Sequence, residues 1–203
     1  MDKEFKKGLY LEYFTVAYNF FEAIASIFFG SIANSVALVG FGLDSIVESL
    51  SGMVLIWRLS SHKKMNAEKE ELIEKKALKF VSVTFFILGG YIFFESAKKL
   101  YFGEINEPSL PGIIIAVVSL IVMPVLAYKK YSIGKKINSM ALIADSKETL
   151  ACSFLSIALL AGLGLNYFFG IWQADPIAGI IIVFFLFREG RETWEEAHED
   201  ELD

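Results

Sequence analysis

Asn34 to Trp57 reads NSVALVGFGLDSIVESLSGMVLIW. That is long enough to cross a bilayer as a helix, which takes about 20 mostly apolar residues. Yet Asp44 and Glu48 stand near its middle, four residues apart and so on one helical face. A carboxylate at bilayer depth costs roughly 2.5–3.5 kcal/mol on insertion scales. A helix that accepts two on one stripe is expected to line a polar site rather than face lipid.

The rest of the chain fits a membrane setting. Of its 203 residues, 55% are hydrophobic and 19 are Phe, and the mean hydropathy is +0.50. A soluble domain is usually about 45–50% apolar. The apolar residues come in blocks rather than at amphipathic spacing. A single Cys excludes an internal disulfide framework. The basic, then apolar N-terminus resembles a signal peptide, but its apolar run is too long and leads straight into the second span. It reads as a retained first helix.

The expectation is an all-α membrane protein of six transmembrane helices with both termini cytoplasmic. The spans fall at about Leu9–Ser31, Asn34–Trp57, Ala77–Leu100, Gly112–Tyr128, Asn138–Leu165 and Asp175–Phe187. Between them lie a charged segment from Arg58 to Lys76, a turn from Gly103 to Pro111, a basic loop from Lys129 to Lys136 and an aromatic turn from Tyr167 to Gln173. Residues 1–190 form the membrane domain, with helix 6 continuing toward a short acidic cytoplasmic tail, 191–203. Orientation follows from Lys and Arg, which crowd the N-terminus, the 2–3 and 4–5 connections and the tail. The opposite side shows only Lys98 and Lys99. The Glu/Lys-rich 2–3 segment reads as a solvated extension of helix 3. Its interleaved acids argue against a nucleic-acid role. Glu95 with Lys98 and Lys99 reads as an interfacial ion pair. His62 and His198 lie outside the spans and read as solvated.

Helix 5 holds the second polar stripe. Asp145, Glu148 and Cys152 share one face at helical spacing. Helices 2 and 5 thus each offer two candidate ligands four residues apart: Asp44 and Glu48, Glu148 and Cys152. Facing each other, they would make a four-ligand, roughly tetrahedral cage of the kind zinc prefers. Cobalt and other first-row ions also suit it, and carboxylate-rich sites suit manganese. Small residues flank both stripes, Gly40, Gly42 and Ser45 on helix 2 and Ala144, Ala151 and Ser156 on helix 5, and let the two approach closely. Asn19 and Glu22 on helix 1 are secondary candidates, either orienting the ligands or forming a packing pair. The bland alternative is that the intramembrane acids only fix helix packing. Two pairs on separate helices favour an ion pathway instead. No Ser/His/Asp set, Cys/His set or phosphate-cradling loop marks an enzyme. A two-aspartate intramembrane protease built on Asp44 and Asp145 leaves Glu48, Glu148 and Cys152 unexplained.

These residues carry a family resemblance. Gly30-Ser31-Ile32-Ala33-Asn34-Ser35-Val36-Ala37-Leu38, with Asp44 nine and Glu48 thirteen residues after Ser35, is similar to the first ligand pair of the cation diffusion facilitators. Ala144-Asp145 followed by Glu148 and Cys152 matches their second pair, and Ala174-Asp175-Pro176-Ile177-Ala178-Gly179 their sixth helix. The resemblance is to the transmembrane domain, without the usual cytoplasmic metal-binding domain. Glu48 and Cys152 stand where Asp is usual, and Glu148 where His or Asp is. The resemblance implies a multi-pass exporter in a prokaryotic plasma membrane, working as a homodimer. Its substrate would be a divalent cation, zinc first, with manganese, iron, cobalt and cadmium as alternatives, moved in exchange for protons. A non-transporting metal sensor or scaffold with the same fold is the alternative function.

Overall fold

The computed structural model describes residues 3–61 and 67–198. Among them the chain forms six α-helices: α1 (Lys3–Ile32), α2 (Val36–Ser61), α3 (Ala67–Phe102), α4 (Leu110–Ile137), α5 (Met140–Phe169) and α6 (Ala174–Glu196). Five of them, α1 to α5, are long and apolar enough to cross a membrane. The apolar part of α6, Ala174 to Phe187, is about 21 Å long at 1.5 Å per residue. That is shorter than the roughly 30 Å hydrocarbon layer. His62, Lys63, Lys64 and the end of the acidic tail lie outside the described residues.

The helices pack most extensively as pairs, α1 with α2, α4 with α5 and α3 with α6. α2 touches α1, α3, α5 and α6 and is the hub. Close approach depends on glycine at two crossings. A Cβ on Gly42 would lie 2.8 Å from Ile27 of α1, and one on Gly162 would lie 2.7 Å from Ala178 of α6. The core between the pairs is apolar, with Leu38, Phe41, Ile92, Met123, Leu159 and Leu186 almost wholly buried. The outward faces are apolar as well. Phe20 and Phe28 of α1 and Phe80 and Phe94 of α3 are all more than half exposed, as lipid-facing side chains are.

At the end away from the termini, one carboxylate ties α6 to the start of α2, and a lysine ties α3 to the turn just before it. Ser35 caps α2, its hydroxyl accepting from the Leu38 N–H at 3.1 Å. The same hydroxyl donates to Asp175 at the start of α6, and the Val36 N–H donates to the other Asp175 oxygen at 2.9 Å. Lys99, late in α3, donates to the Asn34 carbonyl, where Asn34 turns the chain at φ 51°. Lys98 alone pairs with Glu95, at 3.5 Å. The expected Glu95 pair thus forms with one lysine, while Lys99 is drawn inward to satisfy a carbonyl. Asp175→Ala strands the α2 N-terminus and is expected to cost about 1–3 kcal/mol. Asp175→Asn, which keeps an acceptor, should cost less. Thermal unfolding in detergent checks the order.

The basic loop expected at Lys129–Lys136 is a correction: these residues are the last turns of α4. Nothing in Lys-Lys-Tyr-Ser-Ile-Gly-Lys-Lys breaks a helix, and Lys135 and Lys136 favour its C-terminus electrostatically. The chain turns only at Asn138, left-handed at φ 53°. α3 likewise starts at Ala67, in line with the expected extension of that helix.

Candidate metal centre

α2 runs away from the Asp175 knot, so depth along it can be read from residue number. Asp44 lies about 13 Å and Glu48 about 20 Å from Ser35 at 1.5 Å per residue. Both face α5. Asp44, Glu48 and Cys152 each present a ligand atom, and the three atoms lie within 4.8 Å of one another. All three residues are buried, at 5%, 6% and 3% exposure. The Cys152 sulfur is 3.8 Å from an Asp44 oxygen. Neither Glu48 oxygen has a hydrogen-bond partner. A buried carboxylate without a hydrogen bond is expensive, and the charge of Lys130 acts on Glu48 without bonding to it, so the Glu48 oxygens are open to coordinate.

The second and fifth helices share a cavity of about 20 Å³, lined by Asp44, Glu48, Glu148 and Cys152 and by Glu189 of α6. About 10–15 Å³ suffices for one water, so the space suits one ion-sized guest. Among the described residues no basic side chain lines it. In a tetrahedral zinc site, with Zn–O about 2.1 Å and Zn–S about 2.3 Å, ligand atoms sit roughly 3.4–3.6 Å apart. The trio needs to close by about an ångström to reach that.

Glu148 shares the cavity but stands outside the close trio. It begins one turn before Cys152, about 6 Å along α5 toward the termini, and accepts a hydrogen bond from Ser51 at 3.2 Å. Asp145 does not reach the cavity. It is engaged by Lys130 of α4, which also donates to Thr149 at 3.1 Å and lies 3.2 Å from Glu12 of α1. Lys130 and Glu12 are fully buried. Glu22 accepts from Ser45 of α2 at 2.9 Å and from Tyr18 at 3.0 Å. It thereby joins α1 to the ligand helix one residue from Asp44. Asn19 is fully buried, and both its polar side-chain atoms lack a partner. His198 lies against Trp194, ring centroids 4.6 Å apart.

Glu12, Lys130 and Glu189 are polar residues of this interior that sequence reasoning passed over. For Glu12 a signal existed. Glu12, Thr15, Asn19, Glu22 and Ser26 recur at three- and four-residue steps, and all are buried, which is one polar stripe along α1.

A family model described as the cation efflux transmembrane domain matches residues 13–199. The chain is 25% identical over 191 residues to the protein named "Uncharacterized transporter MJ0449" of Methanocaldococcus jannaschii, covering 91% of this chain and 65% of that one. It is 24% identical over 180 residues to transmembrane protein 163 of Xenopus laevis, covering 87% and 62%. It is also 24% identical over 155 residues to magnetosome protein MamB of a Magnetospira species, covering 74% and 53%. The chain therefore spans between about half and two thirds of the length of these relatives.

Proposed function

The chain belongs to the cation efflux family and is an integral, multi-pass membrane protein, and we propose that it exports a divalent metal cation, zinc first, in exchange for protons. The observation that carries this reading is the unpartnered Glu48 carboxylate beside Asp44 and Cys152 on one ion-sized cavity. Asp44, Glu48 and Cys152 bind the ion, and Glu148 stands one turn closer to the termini. Their side, by the Lys and Arg distribution, is the cytoplasm. Glu22 steadies α2 through Ser45 behind the site, Asn19 lies on the same α1 stripe, and Asp145 holds Lys130.

Proton exchange follows from the donor set. Thiol and carboxyl ligands must lose protons to bind metal, so loading the site releases them. Rocking of helix groups about a midplane site then gives alternating access. The pairwise packing supports such a division, with α3 and α6 lying against each other and meeting the remaining bundle through α2 and α5. A homodimer in a lipid bilayer is part of the same proposal, and cross-linking in native membranes checks it.

Zinc uptake into vesicles reconstituted with the protein, under an imposed pH gradient, is the test. Saturable uptake that collapses with the gradient is expected. Zinc binding without uptake would turn the assignment to a metal sensor.

Cys152 carries the metal preference. A thiolate favours zinc and cadmium, whereas an all-oxygen set suits manganese. Cys152→Asp is therefore expected to lower the zinc-to-manganese rate ratio at least about tenfold. Competition among zinc, manganese, iron, cobalt and cadmium in the same vesicles reads it. An unchanged ratio removes Cys152 from the ligand set.

A further inference from the structure

One acid on the cavity comes from neither liganding helix. Glu189 of α6 lines the same space as Asp44, Glu48, Glu148 and Cys152. It is only 9% exposed. Its neighbour Arg188 is turned to Glu192 at 2.7 Å and Arg191 to Glu195 at 2.7 Å. Both adjacent guanidinium groups are thus engaged elsewhere, and no ion pair to the Glu189 carboxylate forms among the described residues.

Its depth follows from the Asp175 knot. Asp175 and Ser35 are in contact, and both α2 and α6 run from there toward the terminal side. Glu189 lies about 21 Å along α6, level with Glu48 at about 20 Å and well beyond Asp44 at about 13 Å. Glu189 and Glu148 therefore stand on the terminal-side wall of the cavity, with Asp44 and Cys152 deeper. The unpartnered Glu48 carboxylate, more than nine-tenths buried, stands level with Glu189 and within reach of the deeper Asp44 and Cys152.

We propose that Glu189 is a cation-binding residue at the terminal-side mouth of the site, taking the divalent ion together with Glu148 and passing it to Glu48, Asp44 and Cys152. This rests on the transport reading above. It assigns α6 a direct part in binding, so that movement of the α3–α6 pair against α2 and α5 opens or completes the receiving end. A carboxylate at the mouth concentrates the cation and lowers the KM. It leaves the inner ligands, and hence the turnover of the loaded site, nearly unchanged.

The test uses the full chain with zinc as transport probe and cobalt(II) as spectroscopic probe. Cobalt on Cys152 gives a thiolate-to-metal charge-transfer band that reports the inner site alone. Glu189→Gln is expected to raise the zinc KM about tenfold, with the maximal rate within twofold and the cobalt band retained. Glu189→Asp should keep the KM within threefold of wild type. Glu195→Gln, on the exposed side of the same helix and paired only with the outward-facing Arg191 among the described residues, should change neither. An unchanged KM in Glu189→Gln overturns the assignment, as does an equal rise in Glu195→Gln. Loss of the cobalt band in both Glu189 variants also overturns it, by making the residue structural. Should wild type show neither zinc uptake nor the cobalt band, the transport reading falls and this one with it. With both present in wild type, a silent Glu189→Gln removes this inference alone.

Discussion

Lys130→Met is expected to destabilise the folded protein by about 3–5 kcal/mol, the usual consequence of deleting one partner of a buried ion pair. The side-chain volume is nearly kept, so the loss is electrostatic. Lys130 is fully buried, is paired with Asp145 and Glu12, and donates to Thr149. Without it two carboxylates remain in the interior with no compensating charge, and α1, α4 and α5 lose the group they share. Breaking a neutral interhelical hydrogen bond in a membrane protein averages only about 0.6 kcal/mol. The gap between that figure and the expected loss makes the experiment decisive. Reversible unfolding in mixed micelles measures it. Adding Glu12→Gln and Asp145→Asn to Lys130→Met should restore most of the stability, because the orphaned charges are then gone. A loss below about 1 kcal/mol for the single variant would mean that water reaches the cluster and the ion pairs are not sealed.

The same lysine shows where sequence reading stops. Asp44 and Glu48 are legible because an acid inside an apolar run is a visible anomaly, and four-residue spacing fixes their common face. Cys152 and Glu148 follow from the same spacing on helix 5. Lys130 is illegible for the opposite reason. It follows a span already long enough to cross the bilayer and sits among other lysines, so it looks like loop. Only the uninterrupted helix through Ile137 carries it back against Glu12 and Asp145. Glu189 is hidden in the same way, just past an apolar run and at the head of an acidic tail. Whether a charge near a helix end snorkels to water or turns inward depends on which helices pack beside it. Helix periodicity does not encode that. The distinction between Glu148, on the cavity wall, and the closer trio of Asp44, Glu48 and Cys152 is likewise one of crossing geometry.

Asp44→Ala with Glu48→Ala is expected to reduce zinc flux by more than about 100-fold while leaving the fold at least as stable as wild type. The first half follows from ligand count. Outer-shell changes alone typically cost 10–100-fold in metal affinity, and this variant removes two of the three groups within 4.8 Å of one another. The second half follows from what those groups lack. Neither Glu48 oxygen has a hydrogen-bond partner. Among the described residues Asp44 has only the Cys152 sulfur at 3.8 Å, near the limit for such a contact. Deleting a buried polar group that is poorly satisfied removes a penalty rather than an interaction. The cavity left by the shorter side chains offsets part of that gain. Asp44→Asn with Glu48→Gln keeps the shape and should show the gain more clearly. Binding groups held in an unfavourable setting are what a functional site requires at the expense of stability. Zinc flux and unfolding, measured on the same preparations, thus separate this pair from Lys130, for which stability falls. Flux that survives the Asp44 and Glu48 substitutions would place the ion elsewhere. Flux and stability falling together would make the two acids structural.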